Sequence, residues 1–293
     1  MGIFYYAALS HQPSAANGNL IMFSVVESDK GNCSTFSKSY RRRFPFRLAT
    51  TSFIYPDRIL PNAMRLAPYL DEMELILFES KNLPDREEIS HLSALQDKQG
   101  LSYNVHLPLD ISLGHPLDKT REEGIAAVQE AVALTRRLTP STYTLHYVCD
   151  ADCGKKNLSL WQRRIAESTG NILKMGIKPG LISVETLNYP LTRVQDIIND
   201  FGLSICLDLG HILLSGGNPL YYLDKYLEKT AIIHLYGVYQ GRDHLGLDVL
   251  DEAALADWLR LLKEYTGTVS IEVFSFQHLQ TSLEVLAKIW EEV

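Results

Sequence analysis

The sequence has few cysteines, no long apolar run and no excess of basic residues, and each absence argues against a class of protein. Four cysteines in 293 residues, without regular spacing, are too few for a disulfide framework and predict a reducing, cytoplasmic environment. The chain contains no apolar run of membrane-spanning length, and we expect no secretory signal. A net charge of −7 argues against tight binding of nucleic acid.

The sequence also lacks the glycine-rich phosphate turn that usually follows the first strand of a doubly wound sheet. Instead, strand-like and helix-like patterns alternate from Phe46 onward. Strands are predicted at 47–54, 74–78, 102–107, 143–147, 181–185, 204–208, 231–235 and 268–273. This alternation predicts a single α/β domain, a (β/α)8 TIM barrel with helices outside a closed parallel sheet, and a doubly wound open sheet is the alternative.

Residues 1–43 differ in composition from the rest of the chain. They are rich in serine, asparagine and alanine, and they end in three consecutive arginines. We predict that they form an N-terminal extension, either flexible or folded into a short hairpin around Asn17-Gly18. Residues 44–293 are then the catalytic TIM-barrel domain.

Six consecutive predicted strands, the third to the eighth, end in a histidine, glutamate or aspartate. These residues are His106, His146, Glu185, Asp208, His234 and Glu272, and His211 and His244 lie just beyond strand ends. The carboxyl ends of barrel strands meet at one face, so we expect the side chains to converge. Three carboxylates buried together are unfavourable without cations. The set therefore predicts a cluster of divalent metal ions.

Mixed histidine and carboxylate ligands suit zinc, manganese or iron, and the number of histidines favours zinc. Within the cluster, Asp208 and His211 are separated by Leu209 and Gly210 only. This short spacing leaves no room for a helix between them, so we expect His211 to lie in a turn.

The order of these ligands resembles that of xylose isomerase-like barrels, and among them the endonuclease IV type of phosphodiesterase, over about residues 46–290. The resemblance implies two metal sites that share Glu185. They are His106, His146 and Glu185 for the first, and Glu185, Asp208, His234 and Glu272 for the second. It further implies that Glu185, Glu272 and His211 are the catalytic residues.

A third metal site, held in part by His211 and His244, is also implied, giving two or three ions per chain. The sequence departs from the family pattern here, because an aspartate is expected at position 242 and the residue is Arg242. The acid is the neighbouring Asp243. The third site therefore uses Asp243 through a shifted loop, loses one ligand or is absent, and Arg242 is a candidate for binding a substrate phosphate.

Four short segments, at 44–57, 59–62, 74–79 and 105–110, are similar to the cobamide-remodelling phosphodiesterases of the same superfamily. The similarity implies hydrolysis of the nucleotide loop of cobalamin or pseudocobalamin to a cobinamide-type product, for corrinoid salvage. The expected partner is thus a small corrinoid rather than a nucleic acid or a membrane. Tyr55, Tyr147 and Tyr236 follow strand ends and are candidates to pack against this substrate.

Two other enzyme functions fit the same residues. A sugar or sugar-phosphate isomerase or epimerase needs one metal and no further histidine pair at positions 106 and 146. An endonuclease acting on abasic DNA uses the same ligands, but the acidic net charge argues against it. A barrel that binds a corrinoid or a sugar without turnover is the third alternative.

Overall fold

The computed structural model describes residues 35–149 and 157–293, and the barrel unit begins at Phe36. The strands are β1 (Arg47–Thr51), β2 (Glu72–Ile76), β3 (Ser102–His106), β4 (Tyr143–Leu145), β5 (Ile182–Glu185), β6 (Ser204–Asp208), β7 (Thr230–Leu235), β8 (Gly237–Tyr239), β9 (Arg242–Leu245) and β10 (Thr268–Ile271). β1 to β7 and β10 close into a barrel in the order β1-β10-β7-β6-β5-β4-β3-β2. All eight pairings are parallel, which confirms the predicted TIM barrel.

Helices follow the strands and pack against their neighbours around the barrel. They are α1 (Ile59–Leu66), α2 (Arg86–Gln99), α3 (Asp118–Thr135), α4 (Leu158–Leu173), α5 (Gln195–Phe201), α6 (Leu209–Leu214), α7 (Pro219–Tyr226), α8 (Glu252–Leu261) and α9 (Phe276–Glu292). Among the described residues, no helix is both long and apolar enough to cross a membrane.

The ends of several helices are set by local sequence signals. Asp85 and Asp251 cap α2 and α8, because each carboxylate accepts a hydrogen bond from the backbone N–H three residues later. Gly100 and Gly202 end α2 and α5 with φ of 66° in both cases, the left-handed conformation that glycine adopts without strain. Each glycine ends its helix two residues before the next barrel strand begins, β3 at Ser102 and β6 at Ser204.

Two elements of the structure differ from the sequence-based expectation, and both carry candidate ligands. The prediction that His211 lies in a turn is wrong, because α6 begins directly after Asp208 and contains His211. Between β7 and α8, the expected loop is an antiparallel hairpin of β8 and β9 that holds Arg242 and His244. Both elements are short and depend on contacts with the barrel, so periodicity alone does not predict them.

The interior at the amino end of the barrel is polar. Glu72 is fully buried, and its carboxylate accepts hydrogen bonds from Arg47, Asn104 and Thr268, which lie on three different strands. A buried carboxylate is tolerated when its oxygens are bonded in this way. The network connects β1, β2, β3 and β10 at the amino end of the barrel.

Residues 36–43, which the sequence assigns to the extension, contact the barrel unit. Phe36 and Tyr40 are buried, and the backbone N–H of Tyr40 donates to the carbonyl of Tyr69. The Arg41 guanidinium donates to the carbonyls of Gln99 and Gly100 at the end of α2. The rest of the proposed extension, up to residue 34, lies outside the described residues, and the domain boundary stays a prediction.

Candidate metal centre

Glu185, the last residue of β5, lies at the centre of the carboxyl face of the barrel. Its Oε2 atom is 3.1 Å from Nε2 of His106, at the end of β3, and 2.8 Å from Nε2 of His146, which follows β4. Its Oε1 atom is 3.2 Å from Nδ1 of His211. The Glu185 carboxylate thus contacts imidazoles from three other elements of the barrel.

A second group of ligands surrounds His234 on β7. The Nδ1 atom of His234 is 3.2 Å from Oε2 of Glu272, 3.6 Å from Oδ2 of Asp208 and 3.8 Å from Oε2 of Glu185. All four residues are buried, and Asp208 and His234 have no exposed surface. Because Glu185 belongs to both groups, the two candidate sites are adjacent and share one carboxylate.

The donor atoms of these residues fit a divalent cation. Among the described residues, groups of three possible ligand atoms lie within 4.8 Å of one another in His106–His146–Glu185, Glu185–Asp208–His211 and Asp208–His234–Glu272. The 3.2 Å contact between Nδ1 of His234 and Oε2 of Glu272 lacks hydrogen-bond direction, and within the described part of the chain both atoms are buried without a bonded partner. Lone pairs left in this arrangement suit a cation between them.

The electrostatics of the site favour an ionised Glu185 beside a neutral His146. Burial acts to raise the pKa of Glu185, but the charge of His146 and the bonds from His106 and His146 hold that pKa well below its ordinary value. Burial lowers the pKa of His146. An ionised carboxylate beside a neutral imidazole is the form in which both residues bind metal.

Asp208 links the candidate metal centre to the helix that carries His211. Its side chain caps α6, with Oδ1 accepting a 2.6 Å hydrogen bond from the backbone N–H of His211. The hydroxyl of Tyr236 donates to the same carboxylate, at 2.9 and 3.1 Å from its two oxygens. Ring atoms of Tyr236 fill the space where a Cβ on Gly210 would lie, so glycine is required there.

The third metal site implied by the family resemblance stays a prediction. His244 lies on β9 with a left-handed φ of 51°, and its Nδ1 faces the backbone carbonyl of Glu272 at 2.9 Å. It belongs to none of the groups of three ligand atoms, and neither does its half-buried neighbour Asp243. Arg242, at the start of β9, is exposed.

The candidate substrate tyrosines are buried. Tyr147 has no exposed surface, and its hydroxyl lies 2.7 Å from that of Thr169. Tyr55 packs against Phe276, with 5.7 Å between ring centroids. Tyr236 contacts Asp208, as described above, so its observed contact is with a candidate ligand. Substrate binding by these tyrosines stays a prediction.

The sequence-based set of site residues omits two buried groups on the inner face of the barrel. Glu74 on β2 has no exposed surface, and its Oε1 is 3.0 Å from Nε2 of His234. The thiol of Cys206 on β6 also lies among the ligand atoms of Glu185 and His234. The spacing Glu72-x-Glu74 in an otherwise apolar strand was a signal that could have revealed Glu74, because alternate residues of a strand share one face.

Comparison with known proteins agrees with the observed fold. The family model described as xylose isomerase-like TIM barrel matches residues 70–289. Among solved structures, a D-tagatose 3-epimerase-like protein aligns with TM-score 0.70 and 18% identity, covering 85% of this chain and 98% of that chain. Endonuclease IV from Thermus thermophilus aligns with TM-score 0.65 and 18% identity, covering 84% and 100%. A 3-keto-D-glucoside 4-epimerase from E. coli aligns with TM-score 0.63 and 15% identity, covering 83% and 98%.

At these identities the three structures establish the shared fold and nothing further about chemistry. No curated protein matches the sequence.

Proposed function

The chain belongs to the xylose isomerase-like TIM barrel family, and from this premise we propose that it is a metal-dependent phosphodiesterase that hydrolyses the nucleotide loop of cobamides. The product is a cobinamide-type corrinoid. The observation that carries the proposal is the position of Glu185. It contacts the pair His106 and His146, and the group of Asp208, His234 and Glu272 lies next to it.

The two ligand groups that meet at Glu185 match the needs of phosphodiester hydrolysis. A phosphodiester is an anion, and two adjacent cations bound here would supply Lewis-acid activation of both the ester and a water molecule. The role of the chain is to hold those cations close together. Glu185, Asp208 and Glu272 supply negative charge, and His106 and His146 complete the first site as neutral ligands. No serine, cysteine or lysine nucleophile is needed.

The choice of a cobamide as substrate depends on the segments that are similar to cobamide-remodelling phosphodiesterases. These segments fall on β1 and the start of α1, on β2 and on β3, which are neighbours in the barrel. They therefore form one continuous part of the barrel, which includes His106. Arg242 is exposed on the β8–β9 hairpin that follows β7, and we propose that it meets the substrate phosphate there.

A sugar epimerase is the second candidate, and two observations favour it. Epimerases are among the structures that share the fold, and Glu185, Asp208, His234 and Glu272 alone are enough for one metal. The pair His106 and His146 distinguishes the candidates, because a one-metal epimerase has no need of two further imidazoles on Glu185. Zinc is the metal we propose, with manganese or iron as alternatives.

The test is a panel of substrates offered to the same purified protein. Adenosylcobalamin, a ketose such as D-tagatose and a duplex containing an abasic site are each incubated with zinc, with manganese and with EDTA. We expect a cobinamide-type product from the first substrate, formed with metal and suppressed by EDTA. Epimerisation of the sugar without any corrinoid product would replace this proposal with the second candidate.

A further inference from the structure

His234 differs from the other candidate ligands because both nitrogens of its buried ring face carboxylates. Nδ1 faces the metal-site acids, with Glu272 at 3.2 Å, whereas Nε2 faces Glu74 at 3.0 Å on the opposite side of the ring. We propose that Glu74 is a positioning residue that fixes the ring of His234 with Nε2 protonated and Nδ1 directed at the metal. The inference rests on the metal centre of the proposed function, not on the choice of substrate.

The chemistry of a histidine ligand requires such a partner. A neutral imidazole that binds metal through Nδ1 carries its proton on Nε2, and that N–H needs an acceptor in a buried site. His234 has no exposed surface, so bulk water does not reach this N–H. The Oε1 atom of Glu74 is 3.0 Å away, and within the described residues it is buried with no other bonded partner. The contact has the length of a hydrogen bond.

Glu74 is itself held in place from across the barrel. Its second oxygen, Oε2, accepts a 2.6 Å hydrogen bond from the hydroxyl of Ser270. Ser270 lies on β10 directly beside His234 in the register of β10 and β7. The carboxylate is therefore restrained by the strand next to the one that carries the ligand, and its free oxygen is directed at Nε2.

Two neighbouring groups show why this role falls to Glu74. The buried thiol of Cys206 is near His234, but a thiol is a weak acceptor compared with a carboxylate. Glu72, on the same face of the strand and equally buried, is already bonded to Arg47 and Asn104. A carboxylate buried with one oxygen uncommitted is costly, so its presence at position 74 indicates a role toward its neighbour.

The experiment measures zinc affinity by competition with a chelator, and cobalt substitution reports the ligand geometry from the visible spectrum. We expect Glu74→Leu to weaken zinc binding by about 10- to 100-fold, the range typical of lost outer-shell partners, and to alter the cobalt spectrum. Glu74→Gln should restore most of the affinity, because its amide oxygen accepts the same N–H. Glu72→Gln is the matched control, on the same strand and equally buried, and should bind zinc as the wild type does.

Wild-type zinc affinity in folded Glu74→Leu would overturn the inference, and so would an equal loss in Glu72→Gln. If Glu74→Leu does not fold, Ser270→Ala decides. This variant frees the restrained carboxylate, so a smaller loss of affinity in the same direction supports the inference and an unchanged affinity refutes it. Zinc binding that responds to Glu74 in a protein that hydrolyses no cobamide would end the proposed function and leave this inference standing.

Discussion

The Nε2 atom of His146 lies 2.8 Å from the Oε2 atom of Glu185. The same oxygen is 3.1 Å from Nε2 of His106 and 3.8 Å from Nδ1 of His234. One buried carboxylate oxygen therefore faces ligands of both candidate metal sites. Loss of Glu185 should affect both sites at once, whereas loss of any other ligand should affect mainly one.

The first prediction concerns Glu185→Gln. The amide keeps the shape of the side chain but lacks the charge that balances two cations. We therefore expect metal affinity and the rate of hydrolysis each to fall by more than about 100-fold, beyond the range for outer-shell partners. Metal per chain, measured by mass spectrometry, checks this. Glu79→Gln, at an exposed position just beyond β2, is the control and should bind metal normally. Full metal content in Glu185→Gln would contradict the assignment.

The second prediction concerns Tyr236→Phe. The variant removes a hydroxyl that donates to both oxygens of Asp208, at 2.9 and 3.1 Å, and keeps the buried ring. We expect zinc affinity to fall about tenfold, because Asp208 loses the bond that orients it, with little change in folding. Chelator competition measures the affinity. Tyr239→Phe, at an exposed position three residues later on β8, should have no effect. An unchanged affinity in Tyr236→Phe would show that the hydroxyl does not support the site.

The third prediction concerns the close contact between Gly210 and Tyr236. In Gly210→Ala the added Cβ overlaps the ring of Tyr236, so the free energy of unfolding should fall by about 1–3 kcal/mol, the usual cost of overpacking. Urea unfolding of the metal-free protein measures it. Gly170→Ala is the control, because a Cβ there meets the ring of Phe201 at an ordinary 3.7 Å, and alanine favours a helix. Equal stability of the two variants would contradict the predicted overlap.

The fourth prediction concerns pH and the metal-free protein. Burial acts to lower the pKa of His211, but Asp208 and Glu185 outweigh it and raise that pKa from 6.5 to about 10. The folded state holds this proton more tightly than the unfolded chain does. Protonated His211 therefore stabilises the fold fully below pH 6.5. The stabilisation is lost as pH rises through about 10. We expect Tm to fall over this window, and less so in His211→Gln. A Tm profile that is the same in both proteins would argue against this ion pairing.

The barrel and the positions of most candidate ligands were predictable from the sequence because both depend on local patterns. Buried strands followed by polar residues predict the parallel barrel, and strand ends place His106, Glu185 and Asp208 at one face, as observed. The parallel geometry brings residues far apart in the chain to the same rim without further information. The grouping of the candidate ligands around Glu185 came instead from the family resemblance.

The remaining features depend on contacts across the barrel, which periodicity does not report. Asp208 caps the helix that carries His211. The hairpin places Nδ1 of His244 3.9 Å from Oε2 of Glu272, outside the groups of three ligand atoms. The contact of Glu74 with Nε2 of His234 depends on strand register and on the hydrogen bond from Ser270. These features decide how the ligands are oriented, and they require three-dimensional coordinates.

The most direct test of the account is a titration of the metal-free protein with zinc, with hydrolysis of adenosylcobalamin followed at each step. We propose two cations that share Glu185, so activity should stay low at one equivalent of zinc and reach its plateau no earlier than two. Mass spectrometry of the reaction should show a cobinamide-type product in proportion to that activity. A plateau at one equivalent, or zinc binding with no corrinoid product at any ratio, would contradict the account.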